Sequence, residues 1–204
     1  MAKRSVSREH IAALSDFLAL LNTRLVRITL SHNRIGPQGL VLLGKALVTN
    51  NALQFLELEA CELAGSAYRP QLDGLLALSK GVQSARSSLR SLNVANNDLQ
   101  PDGCRILLGA LAFHPTLTAL DLSNNMLSLF NDRQGYLALA SLLQFARGLC
   151  WLSISENPLP RHAEPVLQRA LAANASLTSL DASHCGISEL QLRLAQPEGW
   201  QKDA

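Results

Sequence analysis

The stretch Leu117-Thr118-Ala119-Leu120-Asp121-Leu122-Ser123-Asn124-Asn125 decides the fold of this chain, because its spacing recurs along most of the sequence. Leucine occupies its first, fourth and sixth positions, and asparagine its ninth. Six copies of the pattern begin at the following residues: Leu25, Leu53, Leu89, Leu117, Leu149 and Leu177. The intervals between them are 28, 36, 28, 32 and 28 residues. A period in this range is typical of a solenoid built from stacked repeats.

Each copy combines a strand pattern with a helix pattern. Apolar residues at alternate positions share one face of a strand, whereas apolar residues four apart share one face of a helix. The first copy continues with Gly39, Leu43 and Leu47 at helical spacing, and the fifth uses Ala163 where the first four have this glycine. A unit of strand, loop, helix and loop, repeated in one direction, predicts parallel strands with all helices on the opposite side.

The pattern resembles leucine-rich repeats of the ribonuclease-inhibitor-like class, which have a full helix per repeat and Asn or Cys at the ninth position. That position reads Asn33, Cys61, Asn97, Asn125, Asn157 and Cys185. The resemblance implies an α/β fold: a right-handed solenoid with a parallel sheet on its concave face and helices on its convex face. Cys61 and Cys185 are then structural residues, since buried free cysteine behaves as a small hydrophobe.

The pattern divides the chain into three parts. Residues 1–24 form an N-terminal half-repeat helix that Ser7 caps, residues 25–190 hold the six repeats, and residues 191–204 are a tail. The sixth repeat offers only a short helical run at residues 188–195. Neither end resembles a polar cap, which predicts either that the ends dock in a larger complex or that the sequence is a fragment of a longer protein.

Composition argues against several classes of partner. The net charge is +2, from 18 basic and 16 acidic residues, without the Lys/Arg run that marks nucleic-acid binding. No window reaches the ~18 apolar residues of a membrane span, and residues 1–21 lack the pattern of a signal peptide. These features predict an intracellular, cytoplasmic protein without nucleic-acid or membrane partners. The resemblance adds a cytoskeletal or ciliary location as an alternative.

Neither catalysis nor a cofactor is predicted. The four cysteines form no Cys-x-x-Cys pair, and no metal-ligand spacing or phosphate-binding loop occurs. Asp181, Ser183, His184 and Cys185 are close in sequence, but alternation along a strand prevents a nucleophile, base and orienting group from meeting there. His32 occupies the same eighth position as His184, which suggests that the two share a surface role.

The concave face is the predicted binding surface. It consists of the third, fifth, seventh and eighth residues of each copy, which carry five acidic side chains against one basic side chain, a net charge of −4. Exposed aromatic residues at the third position are candidate anchors. We predict the following partner-binding residues: Arg27, Phe55, Glu57, Glu59, Asp121, Trp151, Glu156 and Asp181. The expected partner is a protein with a basic or polar surface.

Two copies carry insertions, at residues 64–71 and 128–134. Both follow the eleventh position of their repeat, so both leave the same edge of the solenoid. Insertions on one edge often mark a binding edge. Because loop length costs little free energy, they are equally well explained as tolerated surface loops.

Three functions are therefore open. The first is a non-catalytic protein–protein interaction scaffold that uses the acidic concave face and the inserted loops. The second is a structural subunit of a cytoskeletal or ciliary assembly. The third is a GTPase-activating regulator, since Ran GTPase-activating proteins belong to the class that this sequence resembles.

Overall fold

The computed structural model describes residues 6–20, 23–66, 68–84, 86–130 and 132–187. Strands and helices alternate along these ranges, except that the short strands β3 and β4 follow β2 directly. The strands are β1 (Arg27–Thr29), β2 (Phe55–Glu57), β3 (Gly65–Ser66), β4 (Arg69–Pro70), β5 (Ser91–Asn93), β6 (Ala119–Asp121), β7 (Trp151–Ser153) and β8 (Ser179–Asp181). The helices are α1 (Arg8–Ala19), α2 (Gly36–Leu47), α3 (Asp73–Val82), α4 (Gln100–Leu111), α5 (Gln134–Phe145) and α6 (Glu164–Ala173), and Arg161–Ala163 form a 3₁₀ turn.

The six repeat strands form one parallel sheet in the order β1-β2-β5-β6-β7-β8. Its register pairs identical repeat positions, so that Ile28, Leu56 and Leu92 are neighbours across the first three strands. The ladder continues past the three-residue strands, as in the hydrogen bond from the Leu30 amide to the Glu57 carbonyl (2.9 Å). The predicted α/β solenoid is confirmed, with one repeat strand and one helix in each of the first five repeats.

The core lies between the sheet and the helices. The fourth and sixth positions of each copy point into it, and Leu56, Leu92 and Leu120 are each at most 1% exposed. Each helix packs on the helix of the adjacent repeat. Glycines allow the closest approach: a Cβ on Gly81 of α3 would lie 2.6 Å from the carbonyl oxygen of Gly44 in α2. No helix in the described part of the chain is long and apolar enough to cross a membrane.

The ninth-position residues form a hydrogen-bond ladder that joins the repeats. Asn97 donates through Nδ2 to the carbonyls of Val94 and Ala95 in its own repeat and of Leu58 in the preceding one, at 2.8 to 2.9 Å. Its Oδ1 accepts the amides of Cys61 (2.9 Å) and Leu63 (3.2 Å). A buried asparagine thereby pairs five backbone groups that would otherwise lack partners.

Cysteine reproduces only part of this role. The thiols of Cys61 and Cys185 donate to the carbonyls of Leu30 (3.2 Å) and Ile154 (3.0 Å), the sixth-position residues of the preceding repeats. Both cysteines are at most 1% exposed, and burial raises the pKa of each thiol. Their predicted structural role is confirmed.

A second ladder lies three residues before the first leucine of a repeat. There the Oδ1 atoms of Asn50 and Asn174 accept the amides of Leu53 (2.9 Å) and Leu177 (2.7 Å). The Nδ1 atom of buried His114 accepts the amide of Leu117 in the same way (3.1 Å). The sequence pattern missed this ladder, because Arg86 and Ala146 stand at the corresponding positions of two other repeats and hide the periodicity.

Helix α1 covers the first repeat. Ser7 caps it as predicted, with Oγ accepting the His10 amide (3.4 Å) and His10 Nδ1 accepting the Ser7 amide (3.1 Å). The Val6 amide donates to Asn33 Oδ1 (3.1 Å), so this segment takes the position that a preceding repeat would occupy. Docking of the chain ends stays a prediction, and the helical run predicted at residues 188–195 lies outside the described residues.

The residue at the eighth position has a left-handed backbone conformation in every copy. Its φ angle is positive in all six, between 51° and 62°, at His32, Ala60, Asn96, Asn124, Glu156 and His184. Histidine is among the residues that tolerate this left-handed conformation. The shared surface role of His32 and His184 stays a prediction, and their common position also reflects a turn that all six repeats make.

Candidate functional site: the concave face and the inserted edge

The concave face presents side chains from alternate strand positions. In β1, Arg27 and Thr29 are exposed while Ile28 between them is buried. In β7, Trp151 is 39% exposed beside buried Leu152. Because the register keeps equal positions side by side, the third and fifth residues form two continuous rows across the sheet. The predicted face therefore exists as one surface.

Three of the predicted residues form an intramolecular assembly at the N-terminal end of this face. The guanidinium of Arg27 lies 4.2 Å above the centre of the Phe55 ring. It also donates to the Glu57 carboxylate at 2.9 Å, and the Thr29 hydroxyl donates to the other oxygen of Glu57 at 2.9 Å. Phe55 is thus partly covered and Glu57 is paired, so both side chains are less accessible to a binding partner than their sequence positions suggested.

The other predicted acidic residue of the second repeat is engaged along the rim. Asn96 Nδ2 donates to Glu59 (3.2 Å), and Asn124 Nδ2 donates in turn to Asn96 Oδ1 (2.8 Å). This chain of side chains crosses three repeats and fixes the rim of the central face.

The C-terminal half of the concave face contains a serine network between two aspartates. Asp121 accepts the Ser123 hydroxyl at 2.6 Å, and Ser123 contacts Ser153 at 2.7 Å and Ser155 at 3.0 Å. On the next strand, Asp181 accepts the Ser183 amide at 3.0 Å. This amide, together with hydroxyls of the network, lowers the pKa of the Asp181 carboxyl, which therefore remains ionised near neutral pH.

The charges of this half lack the internal partner that the N-terminal half has. The third, fifth and seventh positions of the last four repeats contain no lysine or arginine. Within the described ranges, the three ion pairs are Arg27–Glu57, Arg34–Glu62 and Arg105–Asp102, none of which involves Asp121, Glu156 or Asp181. Negative potential on the concave face is therefore concentrated around Trp151.

The inserted edge is a second candidate surface. Within the first insertion, β3 and β4 pair as antiparallel strands, with Gly65 opposite Pro70 and Ser66 opposite Arg69. Tyr68, between the two strands, is 97% exposed. Phe130, in the other insertion, is 95% exposed. The two insertions flank one cleft of about 320 Å³ beside the start of α4, lined by Pro70, Leu72, Leu99, Gln100, Pro101, Asp102, Leu129, Phe130 and Asp132. The prediction that both leave the same edge is confirmed.

The chemistry of these surfaces suits binding. The thiol of Cys185 is buried and donates to a carbonyl, which removes it as a nucleophile beside His184 and Ser183. Among the residues that the structure describes, no three His, Cys, Asp or Glu side chains are grouped to hold a metal ion.

Sequence reasoning placed the eight predicted residues on one face, but their partners became visible only in the structure. It identified Arg27, Phe55 and Glu57 without showing that they contact one another, because spacing does not predict rotamers. It missed the buried Ser153 at the centre of the serine network, since serine at a nominally exposed position carries no signal of its own.

Comparisons with known proteins agree with the repeat pattern. A sequence model described as "Leucine Rich repeat" matches residues 22–44 and 87–107. Human "NACHT, LRR and PYD domains-containing protein 13" is 31% identical over 182 residues, which are 87% of this chain and 16% of that protein. "Ribonuclease inhibitor" from Sus scrofa is 30% identical over 200 residues, 85% of this chain and 43% of the inhibitor. The chain thus spans less than half the length of these relatives.

Two solved structures share the architecture. The tropomodulin C-terminal domain from Caenorhabditis elegans has a TM-score of 0.60 and 20% identity, covering 80% of this chain and 92% of that domain. Leiomodin-1 actin-binding site 2 has a TM-score of 0.58 and 16% identity, covering 78% of this chain and 86% of its own. At these identities the likeness shows the fold alone.

Proposed function

The chain is a leucine-rich-repeat protein of the ribonuclease-inhibitor-like class, and from that membership we propose that it is a non-catalytic module that binds a basic protein segment on its concave face. The observation that carries this proposal is the acidic surface around Trp151, in which Asp121, Glu156 and Asp181 take part in none of the ion pairs of the described residues. Elsewhere on the same face, Arg27 already neutralises Glu57.

Charge distribution supports this choice of surface. The concave face carries −4 although the whole chain carries +2, so the remainder of the protein carries +6. A basic segment is therefore attracted to one face and repelled by the others. Electrostatic complementarity of this kind sets orientation and association rate, while a half-exposed tryptophan supplies an apolar anchor.

Capture of partners from native cell extract by the immobilised full chain, followed by mass spectrometry, tests the proposal. We expect Asp121→Asn combined with Asp181→Asn, or Trp151→Ala, to reduce capture at least about tenfold, which corresponds to roughly 1.4 kcal/mol. The comparison variant carries Tyr68→Ala and Phe130→Ala on the inserted edge, where both side chains are too exposed to support the fold. Loss of capture with this variant alone would move the site to the inserted edge.

A cytoskeletal role is the second candidate, favoured by the fold shared with tropomodulin and with an actin-binding site of leiomodin-1. Co-sedimentation with actin filaments tests it directly. We take saturable co-sedimentation that the concave-face variants weaken as support, and a protein that stays in the supernatant as rejection. The GTPase-activating alternative stays a prediction, which a single-turnover assay with candidate small GTPases would test.

A further inference from the structure

The N-terminal half of the concave face already holds a cation, the guanidinium of Arg27. Arg27 lies with its guanidinium 4.2 Å from the Phe55 ring centre and 2.9 Å from a Glu57 oxygen. A planar guanidinium combines stacking on an aromatic ring with directed hydrogen bonds to a carboxylate, which an ammonium group does less well. The N-terminal half of the face is thus filled by a side chain of the protein itself.

The C-terminal half of the concave face also combines an aromatic ring with carboxylates, but no arginine or lysine of its own strands lies between them. Trp151 occupies the same third position as Phe55, and its exposed fraction is 39%. The sheet register pairs Trp151 with Ala119 and Ser179, so Asp121 and Asp181 lie two residues further along the two flanking strands. Strand geometry puts each aspartate Cα about 8 Å from that of Trp151, and the two aspartates about 10 Å apart.

The residue between the two aspartates is a small one, Ser153, which is 3% exposed. Its hydroxyl contacts those of Ser123 in the preceding repeat (2.7 Å) and of Ser155, two residues further along its own chain segment (3.2 Å). A serine here leaves room above the sheet that a larger side chain would occupy. Asp121 and Asp181 therefore lie on the two strands that flank Ser153, and Trp151 lies two residues before Ser153 on the strand between them.

We propose that this half of the concave face accepts one arginine side chain of the partner, stacked on Trp151 and hydrogen-bonded between Asp121 and Asp181. The inference rests on the proposed function and specifies its ligand chemistry. The arrangement differs from the internal one in having its carboxylates on the flanking strands, so that the five N–H donors of a guanidinium reach two acids.

A blocked pentapeptide with one arginine between glycines serves as the probe, added to the ¹⁵N-labelled full chain at the millimolar concentrations that single side chains require. The readout is the indole N–H resonance of Trp151, assigned with Trp200→Phe. We expect a saturable shift with arginine, weaker binding with lysine, and at least about tenfold weaker binding with citrulline, its neutral isostere. Equal shifts with arginine and citrulline, or no saturable shift with arginine, would overturn the proposal.

Two sets of variants sharpen the result. Asp121→Asn with Asp181→Asn keeps the side-chain oxygens that cap the neighbouring amides, and should reduce arginine binding to the citrulline level. The charge-matched control, Glu9→Gln with Asp16→Asn on α1, changes two exposed acids away from the sheet and should leave binding unchanged. Similar losses in both pairs would mean that net charge alone attracts the probe.

For Arg27→Ala we expect a gain of arginine binding, a result that unfolding of the variant could not produce. Removing the internal guanidinium vacates Phe55 and Glu57, so the variant should acquire a second arginine site, seen as saturable shifts of the amides of residues 55–57. Failure to gain this site would remove the internal template on which the inference depends. If the probe binds but natural partners are captured equally by all concave-face variants, the proposed function fails and the arginine site stands.

Discussion

At the scale of single residues, the ninth-position asparagines show how much of the fold depends on buried polar atoms. Asn97 is 2% exposed and satisfies five backbone groups in two repeats. Replacing it with alanine leaves the amides of Cys61 and Leu63 and the Leu58 carbonyl buried without that partner. Each such group costs roughly 1–3 kcal/mol.

We therefore expect Asn97→Ala to lower the free energy of unfolding by about 3 kcal/mol or more, measured by urea titration with circular dichroism. The control is Asn51→Ala, an exposed asparagine, which should change it by no more than about 0.5 kcal/mol. Similar losses of unfolding free energy in both variants would show that the hydrogen bonds of Asn97 do not stabilise the protein as proposed.

His114 gives the second ladder a dependence on pH. Its Nδ1 accepts two amides, from Thr116 and Leu117, and its Nε2 contacts the Ser87 hydroxyl at 3.0 Å. Burial lowers the pKa of the His114 ring from its usual 6.5. Below about pH 6.5 the histidine of the unfolded chain binds a proton more readily than the buried ring of the folded protein does. The contribution of His114 to the free energy of unfolding is therefore complete above that pH and declines as the pH falls below it.

His114→Asn removes this titration while keeping the hydrogen bonds from the two amides, because Asn50 and Asn174 already accept these amides at the same position. We expect the fall in unfolding free energy between pH 7.5 and pH 5.5, on either side of the usual histidine pKa, to be smaller in the variant. The comparison is by urea titration at the two pH values. Identical falls in the two proteins would assign the pH dependence to other groups.

At the scale of elements, α2 and α3 pack so closely that glycine is required between them. A Cβ at Gly81 would lie 2.6 Å from the Gly44 carbonyl oxygen and 2.7 Å from Leu47 Cβ. Gly109, in α4, would meet nothing within 4 Å. The same substitution should consequently have opposite effects at these two helical positions.

Gly81→Ala should destabilise the protein by about 1–3 kcal/mol, because the two helices must separate. Gly109→Ala should stabilise it by roughly 0.5–1 kcal/mol, because alanine loses less backbone entropy in a helix. Thermal unfolding of both variants checks the signs. Two changes of the same sign would contradict the close approach of α2 and α3.

The repeat pattern predicted the elements well and their cross-repeat contacts poorly. The spacing of the leucines predicted the order and register of the strands. Only one register buries Leu117, Leu120 and Leu122 together with the equivalent residues of the neighbouring repeats. The hairpin of β3 and β4 and the stacking of Arg27 on Phe55 depend on side-chain and loop conformations that no period encodes. The specific contacts on the concave face therefore became visible only in the structure.

At the scale of the whole molecule, an acidic concave face on a chain of net positive charge makes binding sensitive to salt. Exposed charges are screened over about 10 Å at 0.1 M ionic strength. Partner association should therefore slow as salt rises, whereas the stacking contribution of Trp151 should persist.

Hydrogen–deuterium exchange of the full chain, alone and with its captured partner, tests whether the C-terminal half of the concave face is the binding site. We expect added protection along the C-terminal strands and their following turns, at residues 119–124, 151–156 and 179–184, with the inserted edge unchanged. Protection confined to residues 64–71 and 128–134, with the concave face exchanging as in the free protein, would contradict it.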